Sequence, residues 1–87
     1  MEKKEIEEGN RLIAEFHGSM IIRPYSTDWN WIMLVVEKIE SLGYYTNIME
    51  NGMCIDGDLV IERWGDTKIE GTFKTVVEFI KWYNSKQ

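Results

Sequence analysis

The chain has 87 residues, with 15 acidic and 10 basic side chains, a formal net charge of −5 and 44% hydrophobic residues. A disordered chain would be poor in aromatic residues, whereas this one has four tryptophans, four tyrosines and three phenylalanines. It has no apolar run of about 18 residues, which excludes a membrane-spanning helix. Direct binding to nucleic acid needs a clustered positive surface, so the acidic balance argues against it. We therefore expect one domain over residues 1–87, without membrane or nucleic-acid contact.

Two amphipathic helices are predicted in the first half of the chain. In residues 2–17, apolar side chains recur at helical spacing among charged ones, and Gly18 is placed to end the helix in a left-handed conformation. Gly9 lies next to the apolar stripe, where it predicts a close contact with another helix. The alternative is a helix that begins only near Asn10. Residues 29–42 form the clearest helix, because their apolar positions follow the i, i+3, i+4, i+7 pattern.

The period of the pattern changes after the second helix. Three segments rich in β-favouring side chains alternate with two turn signals. The segments are residues 44–50, 53–55 and 59–64, and the turn signals are Asn51-Gly52 and Asp56-Gly57. We predict a three-stranded antiparallel meander. The alternative is one long hairpin whose second strand bends at a bulge at Gly57.

The last part of the chain predicts a third helix, with Thr72 as a candidate N-cap. Its apolar stripe consists of Phe73, Val76, Val77, Ile80 and Tyr83. This order of elements indicates an α+β fold. We expect two N-terminal helices, a small antiparallel meander of two or three strands, and a C-terminal helix packed on one face of the sheet.

The sequence predicts no catalytic residue, no metal site and no cofactor. His17, the single histidine, lies at a predicted helix end, where a cationic imidazole is favourable for structural reasons. Cys54 lies in a predicted strand among acidic residues, which raise rather than lower the pKa of a thiol. The run Asp56-Gly57-Asp58 lacks the further ligand and glycine that a calcium loop requires. We expect a protein that is not an enzyme. A single cysteine allows no internal disulfide, which is typical of a reducing cytoplasm.

Negative charge is concentrated in the predicted strand region. Residues 50–70 hold Glu50, Asp56, Asp58, Glu62, Asp66 and Glu70 against Arg63 and Lys68. One interpretation is a solvated strand face. The other is an acidic surface that binds a basic partner or imitates a phosphate backbone, with Asp56, Asp58 and Glu62 as contact residues.

Aromatic residues are more numerous on two predicted helices than one core can take up. Trp31 lies in Asp28-Trp29-Asn30-Trp31, and Trp82 is followed by Tyr83. Half-exposed aromatic side chains either seal the rim of a small core or anchor an interface. In the second case Trp31 and Trp82 contact a partner protein or a second copy of the chain.

Three segments resemble a group of small hypothetical proteins found in bacterial genomes and their phages. Residues 14–18, 28–40 and 76–84 match the patterns EFxG, WxWxMxVVEKIE and VVEFIKWYN. His17 stands where that group commonly has Met, and Leu34 stands where it usually has Pro. The resemblance implies a phage or mobile-element setting, in the cytoplasm of a bacterial host cell, rather than a catalytic mechanism.

These observations lead to three hypotheses about function. The first is a non-enzymatic protein-binding module that inhibits a bacterial defence nuclease complex of the CRISPR type, and whose partner is a nucleic-acid-binding host protein. The second is a homodimeric structural or accessory protein. The third, a small enzyme or metal protein, would require His17, Cys54 and the acidic strand to meet at one pocket.

Overall fold

The computed structural model describes residues 1–86 of the chain. Three helices and three strands follow one another along it. They are α1 (Lys3–His17), α2 (Trp29–Ser41), β1 (Tyr45–Ile48), β2 (Gly52–Asp56), β3 (Val60–Trp64) and α3 (Lys68–Ser85). The predicted α+β architecture is confirmed. In this part of the chain, no helix is long and apolar enough to cross a membrane.

The strands form one antiparallel sheet in the order β1-β2-β3, so the middle of the chain is a meander. Ile48 lies opposite Met53 across β1 and β2, and Ile55 lies opposite Ile61 across β2 and β3. Because successive side chains of a strand point to opposite faces, these residues share the face that packs on the helices. The alternative of one long bent hairpin is wrong.

The core lies between the sheet and the helices. α3 covers β2 and β3, α1 packs mainly on α3, and α2 contacts β1. The largest buried side chains include Tyr25, Phe73, Phe79, Ile13, Ile32, Ile39, Met53, Ile55 and Ile80. These side chains belong to one hydrophobic cluster, to which every helix and the inner face of the sheet contribute. The other face of the sheet is not covered by any described helix.

Two glycines allow elements to approach closely. A Cβ on Gly71 of α3 would collide with the Asn51 carbonyl oxygen and lie 2.5 Å from the Cα of Gly52. A Cβ on Gly9 of α1 would collide with the ring of Phe73. The close helix contact predicted at Gly9 is therefore confirmed, and α1 is already helical there, which makes the later start near Asn10 wrong.

The start of α3 differs from the prediction. Thr72 is not its N-cap, because the helix begins at Lys68 and Thr67 is the N-cap. The Thr67 hydroxyl accepts a hydrogen bond from the Glu70 N–H (3.2 Å), and the Glu70 carboxylate accepts one from the Asp66 N–H (3.0 Å). The first bond pairs the Glu70 N–H in the first turn of α3, and the second pairs the Asp66 N–H just before the N-cap. Together they form a variant of the capping box.

Candidate interaction surface

The sheet face that points away from the helices is open. By strand alternation it carries Tyr45, Asn47, Gly52, Cys54, Asp56, Val60, Glu62 and Trp64, which we call the open sheet face. Tyr45 is 79% exposed, Val60 60% and Trp64 48%. Tyr45 and Val60 lie in one cross-strand row on either side of Asp56, and Trp64 lies at the other end of β3, so large side chains are exposed at both ends of this face.

Cross-strand partners order this face into rows. Tyr45, Asp56 and Val60 form one row, and Asn47, Cys54 and Glu62 form the next. The two carboxylates, one on β2 and one on β3, therefore lie diagonally across neighbouring strands, within reach of a common partner. None of the residues on the open sheet face is Lys or Arg. Its charge is wholly negative.

Trp64 is held in place on this face by two contacts. Its ring lies across Gly52, its cross-strand partner, so that a Cβ on that glycine would come 2.5 Å from Trp64 Cε3. Its indole Nε1 donates a hydrogen bond to the Glu62 carboxylate (3.1 Å). The aromatic ring and the acid therefore form a pre-ordered pair, which reduces the entropy lost when a partner binds.

Cys54 lies between the acids of the open sheet face and is half-buried. Burial raises the pKa of its thiol, and the negative charges of Glu62 and Asp56 raise it further. The predicted effect of acidic neighbours is thus confirmed. The thiolate is the nucleophilic form of cysteine, so this environment opposes covalent catalysis by Cys54.

The structure brings two of the three predicted acidic contact residues together. Asp56 and Glu62 lie on the open sheet face. Asp58 lies in the turn between β2 and β3, where its side chain is 73% exposed and its carboxylate is 3.6 Å from Lys86 Nζ. Asp58 is therefore at the edge of the face and is partly neutralised by a lysine of the same chain.

The two predicted tryptophans lie away from the open sheet face, and both are half-buried. The Arg23 guanidinium lies 4.2 Å from the centroid of the Trp31 ring and covers it. Trp82 packs edge-on against Tyr44, with ring centroids 6.0 Å apart, and Lys86 lies over its ring. Each predicted tryptophan is thus contacted by a cation of the same chain.

Trp64 and Tyr45 were not singled out from the sequence, although a usable signal exists for Trp64. Ile61 faces the core, and Trp64 lies an odd number of positions further along β3, so strand alternation places its ring on the outer face. The pairing of β1 with β2 places Tyr45 opposite Asp56 and therefore on the same outer face. The exposed aromatic residues of a small sheet are therefore found through strand register rather than through aromatic density.

His17 does not meet Cys54 and the acidic strand, as the hypothesis of a small enzyme or metal protein requires. His17 lies at the end of α1 in the helical layer, whereas Cys54 lies on the open sheet face. A groove of about 680 Å³ between α1 and α3 is lined by neither of them. Its walls carry charges of both signs, including Glu8, Arg11 and Lys74. Among residues 1–86, no group of three His, Cys, Asp or Glu side chains is arranged to hold a metal ion.

Comparisons with known proteins assign no family to the chain. No family model, no curated protein and no solved structure matches it. The resemblance to phage and bacterial proteins stays a prediction, and the function is inferred from the chemistry of the surface itself.

Proposed function

We propose that the protein is a non-enzymatic module that binds a basic protein surface through the open sheet face. One observation carries this proposal: an uncovered sheet face combines exposed aromatic and aliphatic side chains with two carboxylates and no cation. Aromatic side chains such as Trp64 and Tyr45 are typical anchors of interfaces. Carboxylates such as Asp56 and Glu62 steer a positive partner and fix its orientation.

The size of the face sets the extent of the interface. Three strands of up to five residues cover roughly 250 Å² of flat sheet at usual strand dimensions. A stable interface buries about 800 Å² on each partner. The partner must therefore also contact surfaces beside the strands, and the turn that carries Asp58 is the nearest acidic one.

The charge of the face also bears on self-association. A homodimer that paired two open sheet faces would bring the Asp56 and Glu62 carboxylates of both copies into one interface, to which the face supplies no cation. Like charges brought together in an interface cost several kcal/mol, on the order of the energy of a good contact. A basic partner fits this surface better than a second copy of the chain does.

Within this proposal, the partner that we expect is a nucleic-acid-binding protein of a bacterial host, such as a defence nuclease complex of the CRISPR type. A protein that holds a phosphate backbone presents clustered Lys and Arg side chains. An acidic face of fixed geometry can occupy such a cluster and compete with the nucleic acid. The setting comes from the sequence resemblance, and the charge comes from the open sheet face.

The proposal is tested by affinity capture from lysate of a bacterial host, followed by competition with nucleic acid. The test variant carries Asp56→Lys, Glu62→Lys and Trp64→Ala, and the matched control carries Glu5→Lys and Glu8→Lys on the exposed side of α1. We expect a partner that the wild type and the control retain, that high salt releases, and that the test variant fails to retain. Equal retention by the test variant, or no partner at low salt, would contradict the proposal.

Sedimentation of the purified chain distinguishes the proposed binding module from the homodimer hypothesis. We expect a monomer for the wild type. A dimer that dissociates when Trp64→Ala is introduced would instead assign the open sheet face to self-association.

A further inference from the structure

An aromatic cluster at the end of α3 surrounds a single ammonium group. Lys86 Nζ lies 4.9 Å from the ring centroid of Trp82, 5.1 Å from that of Tyr83 and 5.8 Å from that of Tyr44. It donates a hydrogen bond to the Tyr44 hydroxyl (3.1 Å) and lies 3.6 Å from the Asp58 carboxylate. All three rings are within about 6 Å, the range over which a ring face attracts a cation. We call Tyr44, Trp82, Tyr83 and Asp58 the lysine cage.

The aromatic walls of the lysine cage are supported by groups other than Lys86. Tyr44 and Trp82 stand perpendicular to each other, and Phe79, in the core, packs at 4.9 Å from Tyr44 and stacks on Tyr83 at 5.7 Å. Tyr44 also lies against Gly57 of the β2–β3 turn, where a Cβ would collide with its ring. The walls therefore do not need the lysine to hold them in place.

Lys86, in contrast, lies at the surface, at the C-terminal end of α3. It is the C-cap residue of α3, and its side chain remains 39% exposed. A lysine side chain has a flexible stem of four carbons, so its ammonium group can leave the cage without a change in the backbone. A preformed site is thus occupied by a group that is free to exchange.

The chemistry of the cage selects a charged amine that can donate hydrogen bonds. The Tyr44 hydroxyl raises the pKa of Lys86 by accepting its hydrogen bond, and the Asp58 charge acts in the same direction. A trimethylated ammonium has no N–H to give to Tyr44, and its methyl groups hold it further from Asp58. An unmodified lysine therefore suits the cage best.

We propose that the lysine cage is a binding site for an unmodified lysine side chain of the basic partner, which Lys86 occupies until the partner displaces it. This inference rests on the proposed function, because the partner there is basic. The cage lies on the helix side of the sheet and meets the open sheet face at the β2–β3 turn, where Tyr44 packs against Gly57 and Asp58 follows Asp56. A partner that reaches around this edge contacts both surfaces. The cage supplies the additional contact area that the small sheet lacks.

Occupation by Lys86 lowers the apparent affinity of the cage, because only the fraction of molecules with an empty cage can bind. Removing this lysine should therefore raise affinity for a free amine. Lys81 provides a matched control, since it is an exposed lysine of the same helix that pairs with Glu78 outside the cage.

The test is a titration of the full chain with N-acetyl-lysine methylamide, followed by the NMR signal of the Trp82 indole N–H. We expect Lys86→Met to bind this probe about tenfold more tightly than the wild type. Lys81→Met should behave as the wild type does. Tyr44→Phe added to Lys86→Met keeps the ring and removes the acceptor, and should lose several-fold of the gained affinity. The trimethylated probe should bind Lys86→Met more weakly than the unmodified one.

Two results would overturn the inference. One is a Lys86→Met variant, shown to be folded by its dispersed amide spectrum, that binds the probe no better than the wild type. The other is a lysate partner that is lost with the sheet-face variant but retained equally by Tyr44→Phe and by Asp58→Asn. That second result leaves the proposed function in place and makes the cage an anchor for the end of α3 only.

Discussion

The ring of Trp64 lies across Gly52, its cross-strand partner, on the open sheet face. A Cβ on Gly52 would lie 2.5 Å from Trp64 Cε3 and 2.8 Å from the Arg63 carbonyl oxygen. On the other face of the sheet, Gly71 of α3 approaches the same glycine so closely that its own Cβ would lie 2.5 Å from Gly52 Cα. Gly52 is thus enclosed between an aromatic ring and a helix: its own missing side chain makes room for Trp64, and the missing side chain of Gly71 allows α3 to approach.

We expect Gly52→Ala to destabilise the protein by about 1–3 kcal/mol, because the added methyl meets a fixed carbonyl as well as the ring. A glycine-to-alanine change without strain stabilises a protein by about 0.4–1 kcal/mol. A loss of unfolding free energy in Gly52→Ala would therefore indicate a steric conflict at this position. Urea unfolding measures the change. Adding Trp64→Ala should recover the part of the loss that comes from the ring. A Gly52→Ala variant with an unchanged unfolding midpoint would contradict the close approach.

The same residue shows what the sequence could and could not predict. Asn51-Gly52 located the hairpin correctly, but that signal normally depends on a glycine at positive φ. Among residues 1–86, those at positive φ are Gly18 and Gly43. Gly52 belongs to β2, and its carbonyl accepts a hydrogen bond from the Met49 N–H (2.8 Å). The glycine at position 52 is needed for the contact with Trp64, which comes from tertiary structure and leaves no local pattern.

The candidate site was predicted only in part for a similar reason. The predicted strand over residues 59–64 contains Glu62, whereas the Asp56-Gly57 signal predicts a turn and Asp56 is instead the last residue of β2. Strand alternation in the structure then puts both carboxylates on one face. Whether an aromatic ring is covered depends on side chains that come from other elements of the fold. Lys38 and Arg23 illustrate this: Lys38 Nζ lies 4.7 Å from the Phe16 ring and Arg23 covers Trp31, yet neither pairing follows from helical spacing.

Thr75 joins α3 to the sheet through its hydroxyl, and we expect Thr75→Val to cost about 1–3 kcal/mol. The buried hydroxyl accepts a hydrogen bond from the Arg63 N–H of β3 (3.1 Å), and its single proton lies within reach of the Gly71 carbonyl in the same helix (2.8 Å) and the Met53 carbonyl of β2 (3.0 Å). Valine keeps the shape and leaves the Arg63 N–H without this acceptor. Urea unfolding and hydrogen exchange at the Arg63 amide measure the effect.

Thr72→Val is the control for that prediction. Thr72 is equally buried in the same helix, but its hydroxyl bonds only to the Lys68 carbonyl one turn earlier (2.9 Å). Its loss should therefore be clearly smaller and should leave exchange at Arg63 unchanged. Equal losses for the two variants would show that the contact of Thr75 with the sheet adds nothing.

Glu70 should make the stability of the fold dependent on pH at the acidic end. Its hydrogen bond from the Asp66 N–H holds the pKa of the carboxyl below its ordinary value of 4.5, and the Lys74 charge adds to this effect. A carboxyl with a lowered folded-state pKa stabilises the fold above its unfolded-state pKa, and this contribution is lost as pH falls through the folded-state value. Glu70→Gln should cost about 0.5–1 kcal/mol at neutral pH. The difference from wild type should shrink below pH 4.5, and a difference that is constant with pH would contradict this account.

Cys54 reports on the electrostatics of the open sheet face through its rate of alkylation. Only the thiolate reacts with iodoacetamide, and burial together with Glu62 and Asp56 raises the pKa of this thiol. We expect the folded chain to react more slowly at mildly alkaline pH than the urea-unfolded chain does. Glu62→Gln should move the midpoint of the rate–pH profile to lower pH, because it removes the charge directly opposite Cys54. Glu78→Gln removes a charge on the helix side and should leave the profile unchanged. Equal effects of the two substitutions would mean that the Glu62 carboxylate does not face the thiol.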